Sequence, residues 1–161
     1  MTPEGRFKKA VELCQEAFRR QMEGDLDTAI DFYKRSIEIH PTAEAHTYLG
    51  WTYSFQGKLE DAIEECKQAI AVDAGFGNPY NDIGSYLMKL GRPEDAIPWL
   101  EKAIAAPRYE PRHYPHCNLG RVYWTKGLLG QAIAEFERAL EIAPGYPFAR
   151  SALAVLRRQL N

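Results

Sequence analysis

The stretch Tyr48-Leu49-Gly50-Trp51-Thr52-Tyr53-Ser54-Phe55-Gln56-Gly57-Lys58-Leu59-Glu60-Asp61-Ala62-Ile63-Glu64-Glu65-Cys66 decides the fold. It carries two apolar series with members three and four residues apart. The first is Tyr48, Leu49, Thr52 and Tyr53; the second is Leu59, Ala62, Ile63 and Cys66, continuing to Ala69 and Ile70. That spacing places each series on one face of an α-helix. Gly57 between them allows the positive φ that ends a helix and reverses the chain. The stretch therefore reads as helix, turn, helix.

Working outward, the same unit recurs. Gly24 to Ala29 (GDLDTA), Gly57 to Ala62 (GKLEDA), Gly91 to Ala96 (GRPEDA) and Gly127 to Ala132 (GLLGQA) align, with glycines 33, 34 and 36 residues apart. Upstream lie Tyr48-Leu49-Gly50, Asp82-Ile83-Gly84 and Asn118-Leu119-Gly120, each followed three residues later by Tyr53, Leu87 or Tyr123. Downstream, Tyr33, Cys66, Leu100 and Phe136 follow each alanine by four, and Ser36, Ala69, Ala103 and Ala139 come three later. Small residues at Ala17, Gly50, Gly84 and Gly120 predict close helix crossings, faced by Ala29, Ala62, Ala96 and Ala132. Pro41 and Pro144 end their units.

This phased pattern resembles the tetratricopeptide repeat, W-x-x-L-G-x-x-Y followed by A-x-x-x-F and P. The chain also resembles a bacterial subfamily of small repeat proteins. The resemblance implies an all-α, right-handed superhelical solenoid of four helix-turn-helix repeats and a C-terminal capping helix. It covers a single domain over residues 1–161, with repeats at about 7–41, 43–75, 77–110 and 111–144 and the cap at about 146–160.

The ends fit an array. Glu16 and Arg20 replace apolar residues in the first unit, where no repeat precedes them and the face meets water. Ala149, Ala152, Leu153, Leu156 and Leu160 form the stripe of a closing helix. Two irregularities remain. Pro98 falls inside a second helix, which it should bend. The link at 107–116 is two residues longer than its counterparts, and reads either as a longer turn or as a basic, aromatic lip used in recognition.

Composition narrows the function. Twenty basic and 22 acidic residues leave a net charge of −2, which offers no pull toward nucleic acid or an anionic membrane. Cys14, Cys66 and Cys117 match neither zinc spacing nor a disulfide framework, a usage that suits a reducing compartment. The charged N-terminal segment lacks the apolar run of a signal peptide, so a cytoplasmic location is expected. No phosphate loop, dinucleotide fingerprint or nucleophile elbow occurs, and no enzyme activity or cofactor is expected. His113, His116 and Cys117 share a helical face if helix begins that early; the alternative to a metal set is that they are packing and surface residues.

In arrays of this family the first helix of each repeat lines the concave face. The register assigns Cys14, Phe18, Gln21 and Met22 to it from the first repeat, and Thr47, Trp51, Ser54 and Phe55 from the second. The third supplies Asn81, Ser85, Met88 and Lys89, and the fourth Tyr114, Cys117, Asn118, Arg121, Trp124 and Thr125, with Phe148 and Val155 extending the face. The binding set read from this is Phe18, Met22, Thr47, Trp51, Phe55, Asn81, Ser85, Met88, Tyr114, Asn118, Arg121 and Trp124. The two-carboxylate clamp of family members that bind chaperone tails is missing, since Cys14 and Phe18, or Thr47 and Trp51, stand in its place. Tyr48, Asp82 and Asn118 likewise break the asparagine ladder of other members. The implied role is an adaptor that holds a protein partner through an apolar helix or extended segment, with an acidic group near Arg121. The alternative is self-association, as a homodimer through the same face or the array ends.

Overall fold

The computed structural model describes residues 1–161 and contains nine helices. They are α1 (Pro3–Met22), α2 (Leu26–Ile39), α3 (Ala43–Phe55), α4 (Leu59–Val72), α5 (Asn78–Lys89), α6 (Pro93–Ala105), α7 (His113–Thr125), α8 (Leu129–Ile142) and α9 (Pro147–Leu160). No helix is long and apolar enough to cross a membrane. The chain divides into two compact units, Met1–Pro79 and Tyr80–Asn161.

Within each pair the turn is built from one backbone device. Gly24, Gly57, Gly91 and Gly127 have φ between 75° and 85°, the region L-residues avoid. The residue after each glycine donates its N–H back to the last turn of the preceding helix: Asp25 to Arg20 O, Lys58 to Tyr53 O, Arg92 to Leu87 O and Leu128 to Tyr123 O, at 2.8–3.0 Å. These bonds satisfy carbonyls that a helix end leaves open.

In the first unit, Ala17, Ala29, Tyr33 and Leu49 form a buried cluster, with Phe32, Tyr48 and Tyr53 packed against it. Two polar contacts are sealed inside: Tyr33 Oη donates to Gln21 Oε1 (2.7 Å), and Ser36 Oγ donates to Ala10 O (2.6 Å). In the second unit the cluster is Cys117, Ala132, Phe136, Ala139, Ala149, Ala152, Leu153 and Leu156, so α9 closes this core. Leu160, assigned to the same stripe, is exposed instead: it lies in the last turn of α9, beyond Leu156, the last residue of that helix in the buried cluster.

The close crossings differ in one respect from expectation. A Cβ on Gly84 would fall 2.5 Å from Leu100 Cδ2, and one on Gly120 would fall 2.8 Å from the Phe136 ring. At Gly84 and Gly120 the nearest atoms belong to the large residue four positions after the repeat alanine, so these glycines make room for Leu100 and Phe136. At Gly50 the nearest atom belongs to the alanine itself, the Ala62 carbonyl oxygen at 2.9 Å. Pro98 lies inside a continuous α6.

The longer link is anchored. Tyr109 is buried. The Arg112 guanidinium donates to the carbonyls of Ile104 (3.4 Å), Ala106 (3.0 Å) and Pro107 (3.2 Å), capping the end of α6. Arg112 is therefore an internal brace, which favours the longer-turn reading over a basic lip at this residue.

Candidate functional site

The candidate residues fall into one set in each unit. In the first, α1 presents a stripe with three- and four-residue spacing, Phe7, Val11, Cys14 and Phe18. Together with Gln15, and with Thr42, Glu44 and Tyr48 at the start of α3, it encloses a cavity of about 310 Å³. Its aromatic walls are held by ring contacts: Phe18 meets Tyr48 at 5.4 Å between centroids, Tyr48 stacks on Tyr33 at 6.1 Å, and Phe7 meets His40 edge-on at 5.3 Å. Such tilted and edge-on pairs are the favoured aromatic geometries. Farther along α3, Trp51 tilts against Phe55 at 5.1 Å, leaving Phe55 57% exposed.

Burial raises the pKa of the Cys14 thiol, pushing it up to about 11, and the Glu44 carboxylate adds to the shift. Cys14 is thus a neutral wall residue rather than a thiolate. Tyr48 is pushed up as well, by burial first and then by Cys14 and Glu44.

Several assigned residues are placed differently. Thr47 is buried, and its hydroxyl donates to Ala43 O (2.7 Å) within its own helix. That local bond is a common fate of threonine inside helices and removes Thr47 from any exposed surface. Gln21 is buried against Tyr33. Met22 is exposed at the end of α1, outside the cavity lining.

In the second unit, Met88, Arg121, Trp124, Thr125 and Phe148 line a cavity of about 400 Å³. Phe136 packs beneath it, meeting Trp124 at 6.3 Å and Phe148 at 5.8 Å, both edge-on. Asn118 Nδ2 donates to Asn81 Oδ1 (2.9 Å), and Arg121 Nη1 donates to Asn118 Oδ1 (3.2 Å). The guanidinium lies 6.0 Å from the Phe148 ring centroid, within cation–π range. Arg121 therefore has an amide and an aromatic ring as neighbours but no carboxylate. Asn81 is buried and serves this relay rather than facing outward. Ser85 is half-buried on α5, and Tyr114 is exposed, packed against His113 and Tyr146.

The cysteine and histidines proposed as a metal set are otherwise engaged. His116 Nδ1 sits 2.8 Å from Glu135 Oε2, His113 packs on Tyr146 at 4.6 Å, and burial pushes Cys117 up to about 11. In the first unit His46 Nδ1 sits 2.7 Å from Glu65 Oε2 in the same way. Both His–Glu pairs span 19 residues and occupy equivalent repeat positions. In the third repeat that pair is Tyr80 and Trp99, in ring contact at 6.2 Å. Periodicity gave no sign of these pairs, although tabulating equivalent columns would have revealed the His–Glu coincidence. Phe7, Val11, Gln15 and Glu44 also line the cavity but were not assigned to the concave face. The three- and four-residue spacing of Phe7, Val11, Cys14 and Phe18 along α1 was the available signal for the first two.

Comparison with known proteins agrees with this architecture. Family models described as tetratricopeptide repeat match residues 43–76 and 76–145. The type IV pilus assembly protein PilF of Pseudomonas aeruginosa is 26% identical over 147 residues, covering 91% of this chain and 58% of PilF. A solved structure of P. aeruginosa PilF superposes with a TM-score of 0.90 over 96% of this chain and 70% of that one. Small glutamine-rich tetratricopeptide repeat-containing protein 2 of Mycosarcoma maydis is 29% identical over 97 residues, 60% of this chain and 28% of the relative. A crystal structure of MamA gives a TM-score of 0.75 at 28% identity, covering 89% of this chain and 83% of MamA. The chain thus spans between about a quarter and somewhat over half of these two curated relatives. With its four phased helix pairs, positive-φ turn glycines and matching family models, the chain belongs to the tetratricopeptide-repeat family.

Proposed function

We propose that the protein is a scaffold that holds a polypeptide partner, with Arg121 and its apolar surround as an anchoring surface for an acidic group on an apolar segment. The observation that carries this reading is the guanidinium without a carboxylate partner beside a cavity of Met88, Trp124 and Phe148. A fixed cation on a partly desolvated apolar wall favours an incoming carboxylate, and its hydrogen bond to Asn118 limits the freedom lost on binding. Large aromatic and arginine side chains are the usual anchors of interfaces. That PilF is named for an assembly role agrees with a scaffold.

The test is capture by the immobilised full chain, comparing the parent with Arg121→Glu, Trp51→Ala and the outward-facing control Lys67→Ala. Arg121→Glu is expected to weaken retention of the partner at least about tenfold, and Lys67→Ala to leave it unchanged. Equal retention by Arg121→Glu and parent would remove the second-unit surface from binding. The alternative occupant is a second copy of the chain, favoured by the exposed Ile142 and Leu160 near the C-terminus. Light scattering across a wide concentration range separates the two, since only self-association makes the mass rise with concentration.

A further inference from the structure

We infer that the apolar stripe of α1 pairs with the same stripe of a second copy of this chain, as an antiparallel helix pair about a two-fold axis. This goes beyond the scaffold reading, because it concerns the first unit and the Arg121 surface takes no part in it.

The stripe has the spacing of a helix-pair seam. Phe7, Val11, Cys14 and Phe18 follow one another at intervals of four, three and four. That alternation keeps one face of a helix against a partner helix. Folding leaves much of this face uncovered. The buried residues of α1 are Ala10, Leu13, Ala17 and Gln21, which project about a quarter turn away from the stripe. Phe7 is 50% and Phe18 39% exposed. Two such rings on one helix face mark an interaction surface, unlike apolar residues scattered singly.

The same spacing sets the register. The four positions are symmetric about the point midway between residues 12 and 13. An antiparallel copy centred there brings Phe7 against Phe18 and Val11 against Cys14, each contact occurring twice. That reciprocity is what a two-fold interface requires. Antiparallel alignment also opposes the two helix dipoles. On the solvent flank of the stripe, Lys8 comes opposite Gln15 of the second copy and Glu4 opposite Met22, so no like charges meet there. The cavity of about 310 Å³ beside the stripe gives the incoming rings a place to pack, and Cys14 in its wall is a neutral thiol. The charged face of α1 is a poorer surface for pairing, since Glu16, Arg19, Arg20 and Glu23 are tied to one another in ion pairs. With 20 residues α1 is the longest helix. A pair of such helices, about 30 Å long, reaches roughly the 1,000 Å² of total buried area at which specific interfaces begin, so the pairing is weak and reversible.

The experiment follows the full chain from about 10 μM to about 1 mM by light scattering and amide chemical shifts, a range that covers such affinities. The mass is expected to rise toward that of a dimer and no further, with concentration-dependent shifts centred on α1 and the start of α3. Phe18→Glu and Phe7→Lys should each raise the dimer Kd at least about tenfold. Helix content should stay unchanged, because both rings are half-exposed. Combining Phe7→Lys with Phe18→Glu should tighten pairing at least about threefold over either single variant, since the antiparallel register sets each lysine against a glutamate. A parent that stays monomeric throughout, or shifts confined to the second unit, would overturn the inference. So would a dimer that Phe18→Glu leaves intact, or a double variant as weak as the singles. Arg121-dependent capture can be repeated on Phe18→Glu, so failure here and failure of the scaffold reading are distinguishable.

Discussion

At the scale of single residues, the protein depends on side chains that are either absent or neutral. Gly120 lies against the Phe136 ring, and an added Cβ would meet three ring carbons at 2.8–2.9 Å. A fully buried aromatic ring cannot move aside cheaply, so Gly120→Ala should destabilise the fold by about 1–3 kcal/mol. Urea titration checks this, and an unchanged midpoint would mean that α7 and α8 tolerate a wider crossing. Cys14 illustrates neutrality. Burial pushes its thiol up to about 11, and Glu44 acts in the same direction. Since only the thiolate is nucleophilic, iodoacetamide should modify Cys14 slowly at pH 8 in the folded protein, and faster only as pH approaches that value or the chain unfolds. Mass mapping of the modified cysteine follows this directly. A folded-state rate equal to that of the denatured chain would sink the prediction.

At the scale of helix pairs, equivalent positions are filled by alternative solutions. His46–Glu65 and His116–Glu135 bridge the first and second helices of their repeats, whereas Tyr80–Trp99 does so by ring contact. The His and Glu side chains are mostly sheltered, so removing one partner leaves the other buried without its hydrogen bond. Glu135→Ala should therefore cost about 1–3 kcal/mol. Replacing both members of the fourth-repeat pair by Tyr and Trp, His116→Tyr with Glu135→Trp, should cost less than the two single changes added together. A denaturant-based double-mutant cycle measures the difference, and strict additivity would show that the two side chains act independently. The Arg112 brace belongs to the same scale, because one side chain satisfies carbonyls across the end of α6 and fixes where α7 begins.

At the scale of the whole molecule, stability should carry a pH signature from the second unit. Burial pushes the Asp82 carboxyl up to about 7, with Lys89 opposing. Its unfolded value is near the ordinary 3.8. Between these values the folded protein binds more protons than the unfolded chain, so stability falls as pH rises from about 4 to about 7 and then levels. Asp82 retains partial exposure, which keeps the effect to about 1–2 kcal/mol. Asp82→Asn should flatten that slope and raise stability at pH 8 relative to the parent. Denaturation midpoints for both proteins across this range test it, and parallel profiles would show that Asp82 does not carry the signature.

The repeat period, the helix pairing, the turn glycines and the closing helix were determined by the sequence alone. Each of these depends on neighbours within a few residues or on a pattern repeated in phase, such as Gly57 followed by Ala62 and Cys66. Tertiary structure decided which side chains remain available. The register placed Thr47 and Asn81 on the binding face, but a hydroxyl returning to its own helix and an amide bonded to Asn118 withdraw both. It passed over Phe7, Gln15 and Glu44, because a cavity wall is defined by which turns of α1 and α3 come together in space. The spacing of apolar residues fixes the helix faces, whereas hydrogen-bond partners and cavity walls come from residues distant in sequence and are settled only when the helices pack.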